Sequence, residues 1–264
     1  MDENSRNVVE YYTNTYGEDG RLTRRPQARL EWTRTLELLR ATLPAAPARV
    51  LDVGGGPGAY ARALAADGHR VRLVDLVPSH VALAAAGSPP IDAAVGDARD
   101  LPEPTDLYDA TLLLGPLYHL LHAPDRRQAL REAARVTRPG GVVIAAAISR
   151  FAGAIDFAST ARLTEVDVEM ARALLVDGVN DPRSPFTPAY FHRAEELAAE
   201  CESAGLTNVV IHGVEGPAWP AAEAAVHGPL AAPIFTAALE LARLYSTEAA
   251  LVGASAHLLA VARS

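Results

Sequence analysis

The stretch ARVLDVGGGPGAYARALAADGHRVRLVD, residues 48–75, constrains this chain more than any other. An apolar run ends in Asp52. Four glycines and a proline follow within five residues, then a helical pattern, then a second apolar run ending in Asp75. A strand, a glycine turn and a helix in this order form an anion site. Free backbone N–H groups and the helix dipole meet at the turn. The alternation continues as the apolar runs 92–97, 109–115 and 141–149, separated by helical stretches. Strands separated by helices imply a parallel sheet covered on both faces. Continuous rather than alternating apolar runs fit strands buried on both sides. "RPGG" before residue 142 reads as a sharp stop feeding the next strand.

The flanks follow the same logic. Residues 5–43 read as largely helical, with Leu30, Leu36, Leu39 and Leu43 near one face, before Pro44 and Pro47 break the pattern. Residues 150–190 are too long for an ordinary connection and read as a lid. A helix (193–204), a strand (208–215), a second proline-broken stretch (217–234) and a last strand (255–263) follow. The expected organisation is one domain over 1–264: a helical cap (1–48), a binding core (49–149), and insertions at 150–190 and 217–234. The 264 residues suffice for one sizeable core.

Composition removes several function classes. All 24 basic residues are arginine. Without lysine there is no Schiff-base site for pyridoxal phosphate and no G-x-x-x-x-G-K-[ST] phosphate loop. The net charge of -8 and the lack of a basic block argue against a nucleic acid partner. No apolar run reaches the roughly 18 residues of a membrane span. The polar start MDENSRNVVEYY does not read as a secretory signal, so a cytoplasmic location is expected. Cys201 alone cannot form an internal disulfide, and its helical position predicts packing.

Read loosely, Gly54-x-Gly56-x-x-Ala59 fits the dinucleotide fingerprint G-x-G-x-x-G/A. The stretch LDVGGGPG also resembles the E/D-x-G-x-G-x-G signature of class I S-adenosylmethionine (SAM) dependent methyltransferases, and matches it at every fixed position, from Asp52 through Gly54 and Gly56 to Gly58. Asp75, Asp97 in VGDARDLP and the run YDATLLLGPLYHL fall in the family's order. The form LLLGPLYHLL is similar to small-molecule methyltransferases of bacteria, including the natural-product and ubiquinone types.

That resemblance implies a Rossmann-like, doubly wound α/β sheet of seven strands, order 3-2-1-4-5-7-6, with the last strand antiparallel. It implies SAM as cofactor and S-adenosylhomocysteine as product. It places Asp52, Gly54, Gly55 and Gly56 at the amino-acid end of SAM, and Asp75 with Leu76 at the ribose. Asp97 and Ala98 flank the adenine, and Leu114 faces the methionine part. Tyr12 and Tyr16, on a helix of a kind that folds over the cofactor in related enzymes, join the binding set.

The catalytic candidates are His119 and Tyr118, which follow the fourth strand at the sheet edge where ligands sit. A histidine titrates near neutrality and can take a proton from a hydroxyl or amine. No metal is expected, because His119 and His122 have no carboxylate at ligand spacing. Arg21, Arg24 and Arg25 read as a solvated face. Phe186, Tyr190, Phe191, His192 and Trp219 are placed near the acceptor. The function expected is methyl transfer to O or N of a small molecule, with a homodimer compatible with the sequence. A SAM-binding regulator or cyclase, a nicotinamide-dependent oxidoreductase and a protein methyltransferase are the alternatives.

Overall fold

Period-two alternation along the strands explains the layers. In the computed structural model, β1 (Arg49–Val53) sends Leu51 and Val53 to one face and Val50 to the other. The longest strand, β5 (Thr137–Ser149), does the same with Val143, Ala145 and Ala147 against Val142, Ile144 and Ala146. One face packs on α7 (Ala123–Val136) and α10 (Ala194–Ser203); the other packs on α3 (Pro26–Thr42) and α4 (Ala59–Ala66). Each fully buried leucine in these layers, such as Leu64 or Leu130, contributes roughly 2 kcal/mol. The structure describes residues 1–14, 17, 18, 20–181, 183, 184 and 186–264.

The remaining strands are β2 (Arg70–Asp75), β3 (Asp92–Val95), β4 (Tyr108–Leu113), the two-residue β6 (Phe191–His192), β7 (Thr207–Gly213) and β8 (His257–Arg263). The sheet order is β3-β2-β1-β4-β5-β8-β7, with β6 beside the end of β5. Strand β8 runs antiparallel to both neighbours. Setting aside the short β6, this is the order 3-2-1-4-5-7-6 that the family resemblance implies. The order turns between β1 and β4, and ligands bind at such a switch point.

Two features differ from the sequence reading. "RPGG" is not a stop between helix and strand but lies inside β5, which begins at Thr137, opposite Tyr108, directly after α7, and the register shifts before Ala110 pairs with Val142. Gly140, at φ +74°, lies in this irregular start. The helical N-terminus is three helices: α1 (Glu3–Asn14), the single turn α2 (Arg21–Arg24) and α3. Within 150–190, α8 (Ala152–Ser159) and α9 (Glu165–Asp177) pack on each other. Near 217–234 lie α11 (Trp219–Ala224) and the start of α12 (Ala231–Leu244).

Candidate functional site

A cavity of about 350 Å³ opens at the C-terminal ends of β1, β2 and β4. Of the residues singled out in the sequence, Tyr12, Gly54, Gly55, Gly56, Asp75, Leu76, Asp97, Ala98, Leu114, Tyr118 and His119 line it. Asp52 lies just behind the wall. Tyr16 lies outside the described residues.

The glycine loop is shaped by its neighbours. Gly54 has φ +69°, and a Cβ there would stand 2.6 Å from the Pro116 ring. A Cβ on Gly55 would stand 2.5 Å from Asp52 Oδ2. A Cβ on Gly56, at φ +56°, would meet Glu18 Cγ at 3.6 Å and His80 Nδ1 at 3.9 Å, ordinary contact distances. The first two glycines therefore permit close contact with protein, while a side chain at the third would meet its neighbours only at ordinary distance.

Asp75 ties this loop to the tip of β2. Gly56 N donates to its Oδ2 at 2.9 Å, and Val77 N donates to Oδ1 at 2.8 Å. His80 Nδ1, from α5 (Pro78–Ala86), stands 3.4 Å from Oδ1. Each carboxylate oxygen has two lone pairs, so Asp75 retains acceptor capacity toward a ligand. Asp97 is held by Arg99, whose N donates to Oδ1 at 2.9 Å and Nη2 to Oδ2 at 2.6 Å. The same guanidinium reaches Asp2 and Ser5, latching the start of α1 to the core.

Asp52 is 0% exposed, and neither carboxylate oxygen has a hydrogen-bond partner among the described residues. Burial, then the charge of Asp75, pushes its pKa up to about 7. The folded state therefore keeps a proton that the unfolded chain releases near 3.8, the ordinary value. Stability from this group is present below that value and is lost as pH rises toward 7. Asp52→Asn removes the loss: the cofactor-free variant is expected to melt higher than wild type at pH 8, with the gap narrowing as pH falls and closing only below the ordinary value of 3.8. Thermal melts across that range check this; parallel curves contradict it.

His119 ends the one-turn helix α6 (Pro116–His119). Tyr12 Oη lies 3.0 Å from His119 Nε2, so the cap helix α1 touches the candidate base directly. Nδ1 has no partner among the described residues. The Tyr12, Tyr118 and Phe186 rings surround the imidazole, with centroids at 5.4, 4.6 and 5.9 Å. Burial pushes the His119 pKa down to about 4, with only a small opposing pull from Asp75. Burial also raises the Tyr12 phenol, aided by Tyr118 and Glu18. Both groups are neutral at physiological pH.

Several wall residues carry no sequence signal. Asn4, Ser5 and Val8 come from α1, while Trp32 and Tyr60, with rings 4.9 Å apart, come from α3 and α4. Arg21 is not a solvated residue. It lines the cavity, bonds Glu18 at 2.7 Å and grips both oxygens of Glu31 at 2.7 Å. Arg25 is paired with Glu223 and Asp156. Phe186 reaches His119, and Tyr190 N donates to Tyr118 O at 2.8 Å. Phe191 and His192 are buried behind them in β6. Trp219 packs with Leu30 and Ala152, its Nε1 donating to Ala254 O, and is not a wall residue. Cys201 is buried in the main core, as its helical position predicts.

Among the described residues, one group of three acidic or histidine side chains is close enough to share an ion: Glu31, Glu215 and His257. Its atoms are already engaged. Arg21 holds Glu31, His257 Nδ1 is 2.5 Å from Glu215 Oε1, and Ser255 Oγ donates to Oε2 at 2.8 Å. Burial works to lower the His257 pKa, but Glu31 and Glu215 outweigh it and lift it to about 9. The group neutralises itself with its own cations, and none of the three lines the cavity.

The chain matches known proteins on this architecture. Residues 50–141 match the family model of a methyltransferase domain. The chain is 32% identical over 189 residues to the ubiquinone biosynthesis O-methyltransferase of Xanthomonas oryzae pv. oryzae, spanning 70% of this chain and 73% of that protein. A SAM-dependent methyltransferase from Mesorhizobium loti shares the fold with a TM-score of 0.59, at 22% identity, over 89% of this chain and all of that one. So does the geranyl diphosphate C-methyltransferase of Streptomyces coelicolor A3(2), with a TM-score of 0.60, at 16% identity, over 100% of this chain and 99% of the other. The chain belongs to the class I SAM-dependent methyltransferases.

Proposed function

We propose that this protein transfers the methyl group of SAM to an oxygen or nitrogen of a small-molecule acceptor, without a metal ion. One observation carries the reading: a single cavity joins the glycine loop, the acids at the strand tips and the Tyr12–His119 pair. The residues present fit the cofactor. Gly56 lines the cavity without a clashing neighbour, Asp75 and Asp97 stand at successive strand tips, and Asp52 is a buried carboxyl with no hydrogen-bond partner among the described residues. Such a carboxylate suits a ligand carrying ammonium and sulfonium charge. Gly54, Gly55, Leu76, Ala98 and Leu114 complete that wall, with Tyr12 from the cap.

When bound, SAM supplies a methyl group already activated by its sulfonium. The chain's work is then to orient the acceptor and keep water out. We assign orientation to Tyr118 and His119, and the acceptor's approach to the 150–190 segment, whose Phe186 stands against His119. His119 is neutral at physiological pH, so its lone pair is available to a hydroxyl or amine proton. Acting through Nδ1 requires the Nε2–H tautomer, with Tyr12 Oη accepting. An imidazolium is costly in this pocket, so proximity carries more of the rate than basicity. The relative named for O-methylation in ubiquinone biosynthesis makes a hydroxyl acceptor the first class to test.

The test is S-adenosylhomocysteine formation from SAM with a panel of phenols, alcohols and amines. With the acceptor found, His119→Gln is expected to lower kcat by about 100-fold, the scale of a general base. Affinity for S-adenosylhomocysteine should stay within about threefold, or ~0.7 kcal/mol. The acidic limb of the rate should fall near the His119 value of about 4, not at the ordinary 6.5. Full turnover by the variant contradicts the assignment.

A further inference from the structure

The last carbonyls of a helix have no partner within it. Helix α6 is one turn long, and a free loop would leave its carbonyls to water. Here every carbonyl from Tyr118 to Leu121 accepts a bond from outside the turn. Tyr118 O accepts from Tyr190 N at 2.8 Å. His119 O accepts from Asn4 Nδ2 at 2.5 Å. Leu120 O and Leu121 O both accept from Arg126 Nη1, at 2.9 and 2.8 Å.

Arg126 reaches these carbonyls from a buried position. It is 2% exposed and stands on the first turns of α7, outside the cavity. Its Nε and Nη2 grip Glu200 Oε1 on α10 at 2.9 and 2.7 Å. His192 Nε2 stands 3.2 Å from the other Glu200 oxygen. The guanidinium carbon lies 3.6 Å from the ring centroid of Tyr190, the residue whose backbone holds Tyr118. Buried ion pairs are poor devices for stability, since apolar replacements of the same shape often stabilise as well. A planar fork that serves two carbonyls, a carboxylate and an aromatic face at once is a device for fixing geometry.

We infer that Arg126 is a positioning residue for methyl transfer, fixing the 118–121 segment, and with it the His119 ring, from outside the cavity. The inference rests on the assignment of His119 made above. His119 is faced by Tyr12 from α1, by Tyr118 and Phe186, and by the charge of Asp75 from β2. Its low pKa depends on that packing. Loosening the segment admits water and returns the imidazole toward its ordinary value.

The experiment compares the wild-type protein, Arg126→Met and Arg126→Lys. Histidine ring resonances are followed by NMR from pH 5 to 8, with His119→Asn to assign the signal. Each protein is also titrated with S-adenosylhomocysteine and melted. Wild-type His119 should stay neutral across the whole range. In Arg126→Met it should titrate inside the range, while affinity for S-adenosylhomocysteine changes by less than about threefold. Arg126→Lys, whose single ammonium cannot serve both carbonyls and Glu200, should shift His119 the same way by less. It decides the matter if the methionine variant does not fold. A folded variant whose His119 stays neutral down to pH 5 overturns the inference, even if its melting temperature falls, because that is what a purely stabilising residue would give. The His119 titration needs no cofactor, so loss of S-adenosylhomocysteine binding by wild type would sink the cofactor reading and leave this result readable.

Discussion

Asp75→Ala is expected to raise the Kd for S-adenosylhomocysteine by roughly 100-fold. Asp75 holds Gly56 N and Val77 N and lines the cavity. Its removal unfastens the glycine loop from β2 and deletes a side-chain acceptor at the cavity edge of that strand. Hydrogen bonds to a charged group contribute about 1.5–3 kcal/mol each, so losing one or two amounts to about 3 kcal/mol. At 1.4 kcal/mol per tenfold this gives the stated factor. The fold should survive, because the freed N–H groups border the cavity and water can reach them. Calorimetry beside a melting curve separates the two effects. Unchanged affinity would move the cofactor away from this strand tip.

The second large effect is on stability. Gly54→Ala places a Cβ 2.6 Å from the Pro116 ring at φ +69°. The left-handed conformation costs roughly 1–2 kcal/mol for alanine. Overpacking against a rigid ring adds about 1–3 kcal/mol. The sum, about 3 kcal/mol, lowers Tm by roughly 6–10 °C for a chain of this size. Pro116 opens α6, so the clash also drives the His119 segment from the glycine loop, and binding should weaken with stability. Gly56→Ala is the control. It carries a similar φ cost, at +56°, but its Cβ meets Glu18 at 3.6 Å and His80 at 3.9 Å, with no clash. Its loss should stay near the φ cost alone, roughly 1–2 kcal/mol. Equal melting temperatures for the two variants would contradict the geometry described.

The sheet was legible because each main strand is a contiguous apolar run, bounded by glycine, proline or an acid. The two-residue β6 was not, since two residues carry no period. The start of β5 was hidden because "RPGG" contains residues that normally end an element, while the structure takes them up in a register shift. The same contrast divides the site. Gly54, Asp75, Asp97 and His119 follow directly from strand ends, so sequence order alone places them together. Trp32, Tyr60, His80 and Asn4 reach the cavity from separate elements. Arg21 looks like one of three solvated arginines until Glu31, ten positions on along the chain, is seen to hold it. Arg126 is the extreme case. It sits in an arginine-rich helix with an ordinary polar pattern, and its role appears only when Leu120, Leu121, Tyr190 and Glu200 are brought round it.

The most direct test of the account is calorimetric titration of the wild-type protein with SAM, with S-adenosylhomocysteine and, separately, with NADH. The account predicts one site per chain for the first two and no heat from the third. The Asp52 carboxyl should release its proton on binding at pH 7, seen as a dependence of the heat on the buffer's ionisation enthalpy. Tight NADH binding, or no binding of either sulfur ligand, would contradict it and return the glycine loop to the nicotinamide reading.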